Sequence, residues 1–301
     1  VGKKFMPRIR IYQEDHIPSP MQKVWQAFAD NPFALMGLWA VFCLLTLALF
    51  GPWIAPFSPE QQDPLALLLP PSWDASGTVE HFLGTDDLGR DIFSRLLHGA
   101  HLTFGMALAI VLASLLVGFI IGSISGMMKG LKSSILSHLL DALLSIPSLL
   151  LAILVVAVMG PGLDNVFWAV GIALTPQFVR AIHQAVHEEL QKDYVTAAKL
   201  DGANSIQVFW YVIMPNVWET VIIQTTLAIS AAILDIAASG FLNLGAQAPS
   251  PEWGAMVSQG LDNLLTAPWT VTIPGVAILC SVLAINLVGD GLRSALSPIR
   301  N

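Results

Sequence analysis

Charge is scarce in this sequence, and cysteine is scarcer. Of 301 residues, 12% are Asp, Glu, Lys or Arg and 54% are hydrophobic, whereas soluble domains carry about 25% charged residues. That shortage excludes an ordinary water-soluble globule and points to a chain solvated by lipid. The two cysteines, Cys43 and Cys280, both fall in apolar runs. They exclude an exterior disulfide framework and read as small apolar residues. Cys-x-x-Cys and other metal-ligand spacings are missing, so no metal site is expected.

Catalytic signatures are missing as well. The sequence holds no Gly-x-x-x-x-Gly-Lys-Ser/Thr phosphate loop, no Gly-x-Ser-x-Gly and no His-Glu-x-x-His. This argues against an enzyme, and any energy from ATP has to arrive through another subunit. The first 30 residues are polar, charged and rich in proline, unlike a cleaved signal peptide.

Long apolar stretches are what the chain does have. Six of them, at 33–54, 100–122, 136–158, 166–182, 217–239 and 270–288, have roughly the 20-residue length that a hydrocarbon core of about 30 Å requires. An all-α polytopic membrane protein with six transmembrane helices follows. Pro176 and Arg180 interrupt the fourth stretch. The chain divides into an N-terminal segment 1–32, a first span 33–54, an exterior segment 55–99, a five-helix core 100–290 and a tail 291–301.

Basic residues favour the cytoplasmic side of a membrane protein. Lys3, Lys4, Arg8, Arg10 and Lys23 precede the first span, and Lys129 and Lys132 follow the second. Arg180, Lys192 and Lys199 end or follow the fourth, and Arg293 and Arg300 follow the sixth. Only Arg90 and Arg95 fall on the other side. Both termini, and the polar segment 191–216, are therefore expected in the cytoplasm.

That segment reads as two short helices around a tight turn. Thr196-Ala197-Ala198-Lys199-Leu200 forms helix, Asp201-Gly202-Ala203 closes it, and Asn204 or Ser205 caps the next helix. Val212-Ile213-Met214-Pro215 ends the run. A helix–turn–helix hung between spans is shaped to dock on another molecule.

Elsewhere, Thr85 or Asp86 is placed to cap a helix whose apolar face, Ile92, Phe93, Leu96 and Leu97, suits the membrane surface. Asp86, Asp87 and Asp91 lack calcium-loop spacing. Gly118, Gly122 and Gly126 repeat every fourth residue and permit close helix approach. His138 reads as an interfacial residue. Asp141 and Asp235 lie within apolar runs, where charge is costly. Each either lines a translocation path or serves as polar glue between helices.

The segment 191–216 resembles the cytoplasmic coupling loop of bacterial ATP-binding-cassette importer permeases. That pattern is Glu-Ala-Ala, three residues, Gly, nine residues, Ile-x-Leu-Pro. Here Thr196-Ala197-Ala198, Gly202 and Val212-Ile213-Met214-Pro215 keep its spacing, with Thr for Glu, Val for Ile and Met for Leu. Leu83-Gly84-Thr85-Asp86-Asp87-Leu88-Gly89-Arg90-Asp91, the stretch from Ile233 through Gly254, and Asn286-Leu287-Val288-Gly289-Asp290-Gly291-Leu292-Arg293 extend the similarity. They place the chain with the C-type permeases of the dipeptide and oligopeptide branch, closest to the Sap (antimicrobial-peptide sensitivity) and dipeptide systems.

The resemblance implies the fold of a type I importer permease in the bacterial inner membrane, and transport of small peptides or peptide-like cations by alternating access. It assigns ATPase coupling to Thr196, Ala197, Ala198, Asp201, Gly202, Ala203 and Pro215. The implied partners are a second homologous permease, two ABC ATPase subunits, a periplasmic substrate-binding protein and the lipid bilayer, with no nucleic acid. ATP and magnesium would sit on the ATPases, with no cofactor bound by this chain. A different class stays open: an ATP-independent channel or polyamine exporter subunit, whose loop is only an assembly surface.

Overall fold

The computed structural model describes residues 19–128 and 131–296, and these are helical apart from connecting loops and one isolated bridge between Thr85 and Asp91. Lys3, Lys4, Arg8, Arg10, Lys129 and Arg300, used above for orientation, lie outside the described residues.

Helix α1 (Pro20–Ala29) starts at a capping box between Ser19 and Gln22, and α2 (Pro32–Ile54) at Asn31, whose side chain accepts from the Phe33 and Ala34 amides. Proline at the first helical position costs nothing, because its missing N–H would be unpaired there anyway. Helix α3 (Ile92–Met127) corrects one expectation. Its cap is Asp91, which accepts from the Ser94 amide and hydroxyl at 2.7 Å, and neither Thr85 nor Asp86 caps it. Residues 92–99 are the first turns of this 36-residue helix, and Ile92 and Leu97 are buried.

The third apolar stretch is not one straight span. It splits into α4 (Leu131–Leu144) and α5 (Ser148–Met159), bent by 84°. Ile146 precedes Pro147, and the ring of a proline drives the residue before it out of the helical region. The fourth stretch departs in the opposite sense. Helix α6 (Leu163–Glu189) runs unbroken through Pro176 and Arg180. Near that proline, the Ser114 and Thr175 hydroxyls both donate to the Gly171 carbonyl, at 3.0 and 2.7 Å.

Beyond α6 come α7 (Asp193–Leu200), a single turn α8 (Ser205–Gln207), a π-helical stretch Val208–Ile213 and α9 (Met214–Phe241). A short α10 (Trp253–Gly260) and the span α11 (Trp269–Leu296) follow. Among the described residues, five helices are long and apolar enough to cross a membrane, and the bent pair makes a sixth crossing if counted as one.

Helix α6 lies against α3 along the glycine row. A Cβ on Gly122 would stand 2.9 Å from the Ile182 Cβ, and one on Gly126 would stand 2.8 Å from the His183 carbonyl oxygen. Only residues without a side chain permit that approach. Helices α6 and α9 are the most buried spans, and α2 and α11 the least. Trp39, Phe42 and Leu49 on α2, with Val276, Leu279 and Leu283 on α11, present an exposed apolar surface of the kind lipid solvates. Cys43 and Cys280 lie free on those same two helices.

Six crossings put α1, the α7–α8 hairpin and the end of α11 at one end of the bundle. Consistently, Met21, Lys192, Pro215 and Leu296 line a common cavity there. The opposite, loop end is clasped by buried arginines. Arg90 donates to Asp86 at 2.6 Å and to Gln259 at 3.1 Å, and Arg95 donates to Gln259 at 3.2 Å and to the Pro59 carbonyl at 3.1 Å. These two arginines therefore fasten 55–91 onto α10.

Candidate functional site

The hairpin is built by local rules. In α7, Asp193 sits in the first turn and Lys199 in the last, each matched to the helix dipole. The helix ends in a Schellman wrap: the Ala203 amide donates to the Ala198 carbonyl and the Gly202 amide to the Lys199 carbonyl, both at 3.1 Å. Gly202 has φ +92°, a left-handed conformation that side chains resist. Asn204 then opens α8 with a reciprocal box, accepting from the Gln207 amide at 2.8 Å while its own amide donates to the Gln207 side chain at 2.9 Å. The chain passes through the π-helical turns into α9 without a break. Pro215 lies in the first turn of α9, where proline is tolerated.

One face of the hairpin is anchored. Val195, Val208, Ile213 and Val217 are buried with Ile182 and Val186 of α6, and the Asn216 side chain donates to the Tyr194 hydroxyl at 3.1 Å. The other face is bare. Leu200, Ile206 and Tyr211 are 83%, 71% and 80% exposed, the first at the end of α7 and the other two in the opening turns of the continuous helical run Ser205–Phe241. Thr196, Ala197, Asp201 and Gly202 are exposed, and Ala198 and Ala203 half-buried. The residues from Thr196 to Ala203 thus lie together on the last turns of α7 and the wrap that caps it. Pro215 stands apart, at the root of α9.

Sequence reading passed over Leu200, Ile206 and Tyr211. Leu200 carried a signal, an apolar side chain between Lys199 and Asp201, whereas Ile206 and Tyr211 are masked by the apolar run that surrounds them.

The two intramembrane acids are not brought together. Asp141 on α4 is paired with Arg180 of α6, which sequence reading had treated as a cytoplasmic-side charge. Asp235 is buried on α9 beside Ser148, the first residue of α5. Its Oδ2 has no hydrogen-bond partner among the described residues.

Residues 118–299 match the model of the family described as binding-protein-dependent transport system inner membrane component. The chain belongs to that family. Residues 19–71 of the permease also match the N-terminal TM domain of oligopeptide transport permease C. It is 50% identical over 291 residues to the peptide transport system permease protein SapC of Salmonella typhimurium, covering 97% of this chain and 98% of that protein. Against the dipeptide transport system permease protein DppC of Escherichia coli K12 it is 49% identical over 280 residues, covering 93% of each. Among solved structures, a chain of the MetNI methionine ABC transporter in an inward-facing conformation superposes with a TM-score of 0.54 at 17% identity, covering 67% of this permease and 96% of that chain. This likeness shows the fold of an ABC transporter permease. The permease is a multi-pass membrane protein.

Proposed function

We propose that this permease forms half of the membrane channel of an ATP-driven importer for small peptides or peptide-like cations, and that the hairpin 191–216 couples it to ATP hydrolysis. One observation carries the coupling role: a rigid, capped helix–turn–helix, fused to α9 and resting on α6, that exposes Leu200, Ile206 and Tyr211. A side-chain edge of this kind suits insertion into a groove on a partner. The names of the relatives support peptide cargo.

A second, homologous permease completes the channel wall, two ABC ATPases bind ATP and magnesium, and a periplasmic binding protein delivers cargo. Both termini and the hairpin face the cytoplasm. Thr196, Ala197, Ala198, Asp201, Gly202 and Ala203 form the contact, and Pro215 sets the root of α9. Because the π-helical stretch joins hairpin to span without a flexible linker, a push on α7 and α8 is passed to α9. Asp235 lines the cargo path. Asp141 is at its edge.

The test is Gly202→Val in the assembled complex. The site has open space, so the cost is backbone strain of about 1–2 kcal/mol, too little to stop insertion. Normal membrane levels with loss of uptake and of cargo-stimulated ATPase activity are expected. Full retention of both activities would refute coupling through this turn.

A further inference from the structure

We propose that α1 is a membrane-surface anchor, whose exposed apolar edge at Trp25 enters the headgroup boundary of the bilayer at the hairpin end of the bundle. Helical spacing divides α1 into two sides. Met21, Val24, Trp25 and Phe28 fall on one, and Gln22, Lys23 and Gln26 on the other. A helix of this pattern lies along a membrane with its apolar side toward the lipid.

Protein covers only part of that apolar side. Phe28 is 3% exposed, clustered with Val24, with Leu292 and Ala295 of α11 and with Ala34 of α2. The packing is close, since a Cβ on Gly291 would stand 2.9 Å from the Phe28 ring. Met21 borders the cavity at the root of the hairpin. Trp25 stacks on Phe28, with ring centres 6.0 Å apart and planes 18° from parallel, yet it remains 58% exposed.

The position of α1 says what covers Trp25. It packs on α11 and α2, the two spans least buried by protein and therefore most solvated by lipid. Asp30 and Asn31 alone separate it from α2, which holds it at the level where the apolar run begins. Phe33 and Met36, exposed in the first turns of α2, continue the apolar surface from there. Tryptophan is favoured at this depth, because its ring is apolar while its N–H finds a partner at the wet boundary. Helix α1 carries one basic residue and no acidic one, so apolar contact drives the docking and headgroup charge does not. Docked in this way, α1 fixes the ends of α2 and α11 at the headgroup level, independently of the hairpin, cargo and ATP.

The experiment uses the full complex in phosphatidylcholine nanodiscs, with Cys43 and Cys280 replaced by alanine. A nitroxide is attached to Trp25→Cys, Ala29→Cys or Gln26→Cys, one at a time. Power-saturation EPR then compares collisions with oxygen, which concentrates in lipid, and with a nickel chelate confined to water. The oxygen-to-nickel ratio at Trp25→Cys should be roughly threefold or more above that at Gln26→Cys, as for a side chain about 5–10 Å inside the boundary. Adding phosphatidylglycerol should leave it unchanged. Ala29→Cys, four residues on along the same edge, gives the reading if the Trp25 variant does not assemble. Equal ratios on the two sides of the helix would place the edge in water, and shielding from both reagents would place a protein over it. Either result overturns the proposal, as does a high ratio that appears only with phosphatidylglycerol.

Discussion

At the residue scale, Asp235 is the most exposed to test, because two readings of one carboxylate diverge. A buried acid between spans is costly unless water or a partner stabilises it. Ser148 stands beside this one, and Oδ2 is left without a donor. A path-lining acid should discriminate by cargo charge, whereas helix glue should not. In Asp235→Asn, with assembly intact, uptake of cationic peptides is expected to fall roughly tenfold relative to neutral ones, which corresponds to about 1.4 kcal/mol of lost attraction. Competition uptake assays with paired lysyl and norleucyl peptides measure this. An equal loss for both, together with poor complex yield, would make Asp235 a packing residue.

At the element scale, what was legible in the sequence follows from how local each cause is. The hairpin was readable because its signals are short-range: a glycine after three small residues, then an Asn at the cap. The α3–α6 seam was readable because one residue type repeats with the helical period. The bend between α4 and α5 was not, since apolar length is blind to chain direction, although Pro147 carried the cue. The pairing of Arg180 with Asp141 was not legible because the two are 39 positions apart. Helix α10 supplies a further case. Its cap, Glu252, is fully buried and accepts from the Gly254 and Ala255 amides at 2.8 Å each. Burial pushes its carboxyl from 4.5 up to about 7, against the opposing pull of those two bonds. The folded form therefore holds a proton that the unfolded chain releases near pH 4.5. Its contribution to stability falls as pH rises from about 4.5 to about 7 and is flat above that, by on the order of 3 kcal/mol at most. Thermal unfolding of the solubilised complex from pH 4.5 to 8 should show this decline in the wild type. In Glu252→Gln the decline should be smaller, and identical pH profiles for the two would show that Glu252 does not titrate with folding.

At the scale of the whole molecule, acids are exposed at both ends, but the exposed basic residues of the described chain gather at one. The loop end exposes Glu60, Asp74, Glu80, Asp87 and Asp262, while its two arginines are spent internally on the clasp with Gln259. Lys23, Lys199 and Arg293 are exposed at the hairpin end. With Arg90 and Arg95 buried, the exposed basic residues among the described residues lie toward the hairpin. Because such residues are retained on the cytoplasmic side, the hairpin should face inward, where ATP is. This is checked by single cysteines in a background with Cys43 and Cys280 replaced by alanine. Asp74→Cys and Asp262→Cys should react with an impermeant maleimide added to intact cells whose outer membrane has been permeabilised. Lys199→Cys should react only after the inner membrane is opened as well. Labelling of the Lys199 variant in cells with an intact inner membrane would reverse the orientation, placing the hairpin out of reach of any cytoplasmic ATPase and ending the coupling proposal with it.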